Sequence, residues 1–162
     1  MQTYSKIILV VVIATLGWWV MAAQATNITF ERSAGCMVIN QATAHTLSLE
    51  LAQNNKQRAR GLMERTTLGE LEGMLFIYPN AATRGFWMYR TRIALDIAFI
   101  NAEGLVLETQ KMTPCESNRS IECPTYAPQQ PYSTALEMAA GAFAQLGIAP
   151  GSKFTLGSCP II

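Results

Sequence analysis

The chain of 162 residues contains a single histidine, His45. A histidine metal cluster is therefore excluded, and a serine–histidine–aspartate triad would have to be built on that one ring, with no G-x-S-x-G turn to accompany it. Charge of one sign is also missing. Lys plus Arg number 12 and Asp plus Glu 11, with no basic block of the kind that neutralises a phosphate backbone, so no nucleic-acid partner is expected. There is no C-x-x-C, and the two closest cysteines, Cys115 and Cys123, are eight positions apart, which argues against a redox dithiol. Gly61, Gly73, Gly104 and Gly141 are scattered singly, so they form no phosphate loop and serve turns and close backbone approach. Met63, Met74, Met88, Met112 and Met138 are spread in the same way, as adaptable core filler and not as a soft-metal site. Neither a metal nor a cofactor is expected, and no internal repeat is present.

The first segment carries a location signal. Lys6 is its only charge, residues 7–16 are apolar, and Ala23-Gln24-Ala25 fits the small-x-small cleavage pattern of a secretory leader. Residues 1–25 read as a signal peptide, and residues 26–162 as one globular domain in the periplasm or outside the cell. The rival reading is an uncleaved anchor to the inner membrane through residues 7–23, with Trp18 and Trp19 at the interface; in that case the membrane is touched only by this segment. No cysteine lies close behind it, so a lipoprotein anchor is not expected.

Cleavage leaves 137 of the 162 residues, a length typical of one domain. All four cysteines lie in that portion, and an oxidising compartment makes two disulfides the natural reading. Three pairings are possible. Cys115 with Cys123 would clip a loop between Pro114 and Pro124, and Cys36 with Cys159 would tie the start of the domain to its end. On a chain-entropy model the clip is worth about 2 to 3 kcal/mol and the tie about 5.

Periodicity predicts a β-rich chain with short helical pieces. Residues 36–40 and 45–52 suit strands, the second with Leu47, Leu49 and Leu51 alternating against Thr46, Ser48 and Glu50. Asn54 is an N-cap for a short helix running through Gln57, Ala59 and Leu62, weakened at its far end by Gly61. Residues 74–78, 86–89 and 93–100 are apolar runs of strand length. A turn over 101–104 joins the last of them to a strand at 105–108, a hairpin. Residues 113–133, with four prolines and two cysteines, read as a long surface loop. A strand over 135–139, a helical turn over 141–146 stopped by Gly147, and a strand over 153–156 complete the pattern.

Five short blocks recur through this pattern: Arg60-Gly61-Leu62-Met63, Gly73-Met74-Leu75-Phe76, Phe86-Trp87-Met88, Leu95-Asp96-Ile97-Ala98-Phe99 and Ala135-Leu136-Glu137. In this order the chain resembles domain-of-unknown-function family 192, small exported or membrane-tethered bacterial and archaeal proteins. The resemblance implies a β-rich α+β fold, a compact, partly open, barrel-like antiparallel sheet with short helices. It also makes Asp96 and Glu137 motif residues. One departure is local: the family commonly follows its W-M pair with lysine and asparagine, where Tyr89 and Arg90 stand here.

Asp96 and Glu137 are the carboxylates to watch, because both sit among apolar neighbours on strands. Asp96 should be paired with Arg60, Arg65, Arg90 or Arg92, or cap backbone amides, since an unpartnered buried carboxylate is costly. Small neighbours Ala135 and Ala139 leave room beside Glu137. Phe86, Trp87 and Tyr89 form an aromatic cluster suited to core packing or to a stacked ligand. His45 reads as structural.

Three functions follow. The first is a non-catalytic module of the cell envelope, binding a small molecule or serving a partner protein, with a pocket formed by Arg60, Phe86, Trp87, Asp96 and Glu137. The second is an envelope hydrolase acting on a glycan, with Asp96 and Glu137 as catalytic acid and base. The third is a protein–protein interaction domain using the 113–133 loop around Tyr126.

Overall fold

Alternation along Leu47, Leu49 and Leu51 gives a strand one apolar face, and such a strand is stable only when neighbours cover that face. In a computed structural model, which describes residues 27–160, the neighbours are six further strands. β1 (Glu31–Asn40), β2 (Thr43–Ala52), β3 (Glu72–Ala82), β5 (Leu95–Ile100), β6 (Val106–Met112), β8 (Tyr132–Ala139) and β9 (Lys153–Leu156) form one sheet, in the order β6-β5-β8-β3-β2-β1-β9. β4 (Phe86–Trp87) and β7 (Thr125–Tyr126) make a separate two-stranded ribbon. The leader expected over residues 1–25 and the anchor expected over residues 7–23 lie outside the described residues, among which no helix is long and apolar enough to cross a membrane.

The sheet is mixed, not purely antiparallel. β2 and β3 run parallel, with Leu51 opposite Leu75, and a parallel pair needs a crossover longer than a hairpin turn. Residues 53–71 supply it, including α1 (Asn55–Arg60). Asn54 caps α1 through a reciprocal box: its Oδ1 accepts from the Gln57 amide at 3.0 Å, and Gln57 Oε1 accepts from the Asn54 amide at 3.3 Å, an arrangement worth about 1 kcal/mol. The helix ends two residues earlier than the pattern through Leu62 implies. Gly61, at φ 45°, takes a conformation that side chains disfavour and closes it.

The expected hairpin joins β5 to β6 through Asn101, whose Oδ1 accepts from the amides of Glu103 and Leu105. There the two ends of the sheet approach each other. Leu105 bridges to Lys153, and the Phe154 amide donates to the Gly104 carbonyl at 2.7 Å. The contact is a bridge and not a ladder, so the sheet curls without closing into a barrel.

Side chains on a strand alternate between faces, and each face buries its own core. Leu47, Leu49, Leu75, Leu136 and Met138 pack with Phe143 and Leu146 of α2 (Ala142–Leu146) and with Phe154. Met74, Phe76, Ile97, Phe99, Tyr132 and Ala135 pack on the other side with Leu62, Phe86 and Met88. β5 is covered on both faces and buried throughout, which is why its sequence reads as a continuous apolar run. Cys36 bonds to Cys159 and Cys115 to Cys123.

Candidate functional site

β8 lies between β3 and β5, and Glu137 sits on it opposite Met74 on one side and Ile97 on the other. An apolar enclosure follows from that position, and Glu137 is only 4% exposed. Burial alone pushes its carboxyl up to about 8, so near neutral pH it is a protonated acid with one O–H to donate. No buried side-chain oxygen or nitrogen among the described residues is both sealed from solvent and without a hydrogen-bond partner. The Glu137 carboxyl, which no described group hydrogen-bonds, therefore opens on a space.

That space is a cavity of about 170 Å³. Its walls are Arg58 and Arg60 of α1, the turn Gly61-Leu62-Met63, Phe76 and Tyr78 of β3, Phe86 and Trp87 of β4, and Thr91. Phe86 is fixed edge-on against Phe76 with ring centroids 5.0 Å apart, whereas Trp87 is 48% exposed at the mouth. Arg58 is committed: it donates to the Ile77 carbonyl at 2.8 Å and to Asn55 Oδ1 at 2.6 Å, and lies 4.9 Å from the Tyr78 ring centre. Arg84 covers the same ring at 4.5 Å. Arg60 differs: among the described residues its guanidinium has neither a hydrogen-bond partner, as Arg58 has, nor a carboxylate within ion-pair distance.

Four of the five expected pocket residues thus meet: Arg60, Phe86, Trp87 and Glu137. Asp96 does not join them. It pairs in register with Met138 while its neighbour Ile97 pairs with Glu137, and so it projects from the opposite face. There Asp96 Oδ2 accepts from the amides of Gly141 at 2.8 Å and Phe143 at 3.1 Å, capping the entry to α2. Of the arginines considered as its partners, none pairs with it: Arg65 binds Glu50 at 2.6 Å, and Arg90 and Arg92 both bind Glu64. Those two contacts hold the Glu64 carboxyl below its ordinary value, Arg92 more than Arg90. Glu64 and Arg90 are also the two non-glycine residues with positive φ among the described residues, 64° and 56°, and the Glu64 amide donates to the Arg90 carbonyl at 2.8 Å. This clamp fixes the segment beside Thr91 and Met63.

Other expected features fall outside the cavity. His45 Nε2 lies 3.1 Å from the Leu146 carbonyl oxygen. The 113–133 segment carries the Cys115–Cys123 clip and a 3-10 turn over Ser120–Glu122, on which Ile121 is 83% exposed. Tyr126 is not at the tip of that loop; it pairs with Phe86 and ties the loop to the cavity wall. Among the described residues no group of three or more His, Cys, Asp or Glu could hold a metal ion.

Arg58, Tyr78 and Thr91 also line the cavity, beyond the residues expected there. For Tyr78 a signal exists in the sequence, because two-residue periodicity from Phe76 places it on the Phe76 face. Thr91 has no such signal. Only the Glu64 clamp and the turn bonding the Thr91 amide to the Met88 carbonyl bring it to the wall.

Comparison with known proteins places the chain in context. The family described as DUF192, "Uncharacterized ACR", matches residues 37–156. A crystal structure from Sinorhizobium meliloti 1021, described as a candidate transcription regulator, is similar at 26% identity with a TM-score of 0.72, over 80% of this chain and 97% of that one. A protein of unknown function from Novosphingobium aromaticivorans DSM 12444 is similar at 30% identity with a TM-score of 0.69, over 78% of this chain and 86% of that one. No curated protein matches.

Proposed function

The chain belongs to the DUF192 family, and from that premise we propose that it is an exported, non-catalytic module that binds a small molecule in the Glu137 cavity. The observation that carries this reading is a buried carboxyl without a hydrogen-bond partner among the described residues, at the floor of an aromatic-walled space. Leaving a buried polar group unpaired costs about 1 to 3 kcal/mol, and a ligand that supplies the missing hydrogen bond recovers it. The cavity is smaller than the sites that hold drug-sized molecules. A hydrophobic space of comparable size accommodates a single benzene ring, so one ring with a short polar group matches it.

Two disulfides accord with an oxidising compartment, which supports export to the envelope. A glycosidase mechanism would need both carboxyl groups facing one cleft. Asp96 and Glu137 face away from each other across the sheet, and Asp96 is occupied by two backbone amides, so the hydrolase reading is not carried further.

Amide NMR of the full chain titrated with single-ring compounds tests the proposal. Saturable shifts gathered on residues 58–63, 85–91 and Glu137 are expected. The Ala59→Trp variant, altered at an exposed position on the cavity wall, should lose them. Shifts confined to other surfaces, or unaffected by that variant, would show the cavity is not the binding site.

A further inference from the structure

Resting on the cavity reading, we propose that the ligand is a small monoanion, a planar ring carrying one carboxylate, held between the Glu137 carboxyl and the Arg60 guanidinium. The charges around the cavity set this choice. Glu137 is its only acidic wall residue, while Arg58 and Arg60 both belong to the wall. Opposite Glu137 stand the apolar Met74 on β3 and Ile97 on β5; the phenols of Tyr78 and Tyr132, kept neutral by burial, lie near it, and Arg84 lies over the Tyr78 ring. Among the described residues, every formally charged wall residue apart from Glu137 is therefore positive.

A cationic ligand would need Glu137 ionised in a site whose burial opposes ionisation, and would have to enter past two guanidiniums. An anion meets neither obstacle. The protonated Glu137 donates its O–H to the ligand carboxylate, a charge-assisted bond of the stronger class. Arg60, with no described carboxylate beside it, supplies the countercharge. One proton and one uncommitted guanidinium match one negative charge, and Arg58 is already held by Ile77, Asn55 and Tyr78. The ring then lies among Phe76, Phe86 and Trp87, where planar apolar surface packs well.

Proton linkage follows from the same contact. Binding needs the proton on Glu137, so affinity holds near neutral pH and falls about tenfold per pH unit once the acid ionises above about 8.

The test is fluorine NMR titration of the full chain with para-fluorobenzoate, para-fluorobenzamide and para-fluorobenzylamine, which share a ring and differ in charge. The benzoate should bind at least about tenfold more tightly than the other two near pH 6.5. Arg60→Gln should bring the benzoate down to the level of the amide, and Glu137→Gln should flatten the loss of affinity above pH 8. Equal or tighter binding of the amide or the amine overturns the monoanion proposal and leaves the cavity reading standing. A benzoate preference indifferent to both variants also overturns it. No saturable binding of any of the three removes the cavity reading together with the proposal.

Discussion

Asp96 and Glu137 occupy adjacent strands one register step apart, yet their side chains leave opposite faces of the sheet, because Ile97 and not Asp96 is the residue paired with Glu137. One serves the scaffold and the other faces the cavity. The two carboxyls should therefore respond to substitution in opposite ways.

Asp96→Ala strips the acceptor from the Gly141 and Phe143 amides at the start of α2. A loss of about 2 to 3 kcal/mol in denaturant unfolding is expected. Binding of ring compounds should be unaffected in the fraction that remains folded. A variant as stable as the parent would remove the capping role.

Glu137 governs how stability varies with pH. Its carboxyl rises from the ordinary 4.5 to about 8 on folding, so between those values the native state holds a proton that the unfolded chain has released. The stabilisation is fully present below about pH 4.5 and is lost as pH rises towards 8, on the order of 5 kcal/mol in all. Glu64 acts with the opposite sign, its contribution being lost only in acid, because its carboxyl is lowered. Urea unfolding from pH 5 to 8.5 should show the decline, and Glu137→Gln should abolish most of it.

The disulfides should contribute unequally. Cys36–Cys159 spans 123 positions and Cys115–Cys123 only 8, so chain entropy assigns about 5 kcal/mol to the first and about 2.5 to the second. Paired serine variants compared by thermal unfolding give the order. Losing the short clip should instead be felt at the cavity, since β7 follows it and pairs with Phe86.

Gly104→Ala should weaken the point where the sheet's ends meet. Gly104 has φ 80°, and a Cβ there would collide with the Phe154 carbonyl oxygen. Both strain and collision act on one residue, and a loss of about 2 kcal/mol or more is expected. Unfolding midpoints in denaturant measure it.

Local pattern made much of this architecture readable. The alternation of Leu47, Leu49 and Leu51, the Asn54 cap, the turn at Asn101 and the stop at Gly147 depend on a few consecutive residues, and each appears where the pattern puts it. The parallel pairing of β2 with β3 was not readable, because a crossover's direction depends on how distant strands share a sheet. Glu137 and Asp96 looked alike for a related reason. Both sit in apolar runs buried on two faces, and such runs lack the alternation that would tell one face from the other.

The sequence by itself determined most of the sheet's strands, the tight turns, and that the cysteines would suit an oxidising compartment, since those depend on local conformational preference and composition; β7 lies in the segment that reads as loop, because its partner Phe86 is distant in the chain. Only the tertiary structure decided which face each carboxyl meets. Register sets that choice, and a shift of one residue reverses it: the same pairing that turns Asp96 towards the amides of α2 leaves Glu137 facing Arg60, Phe86 and Trp87.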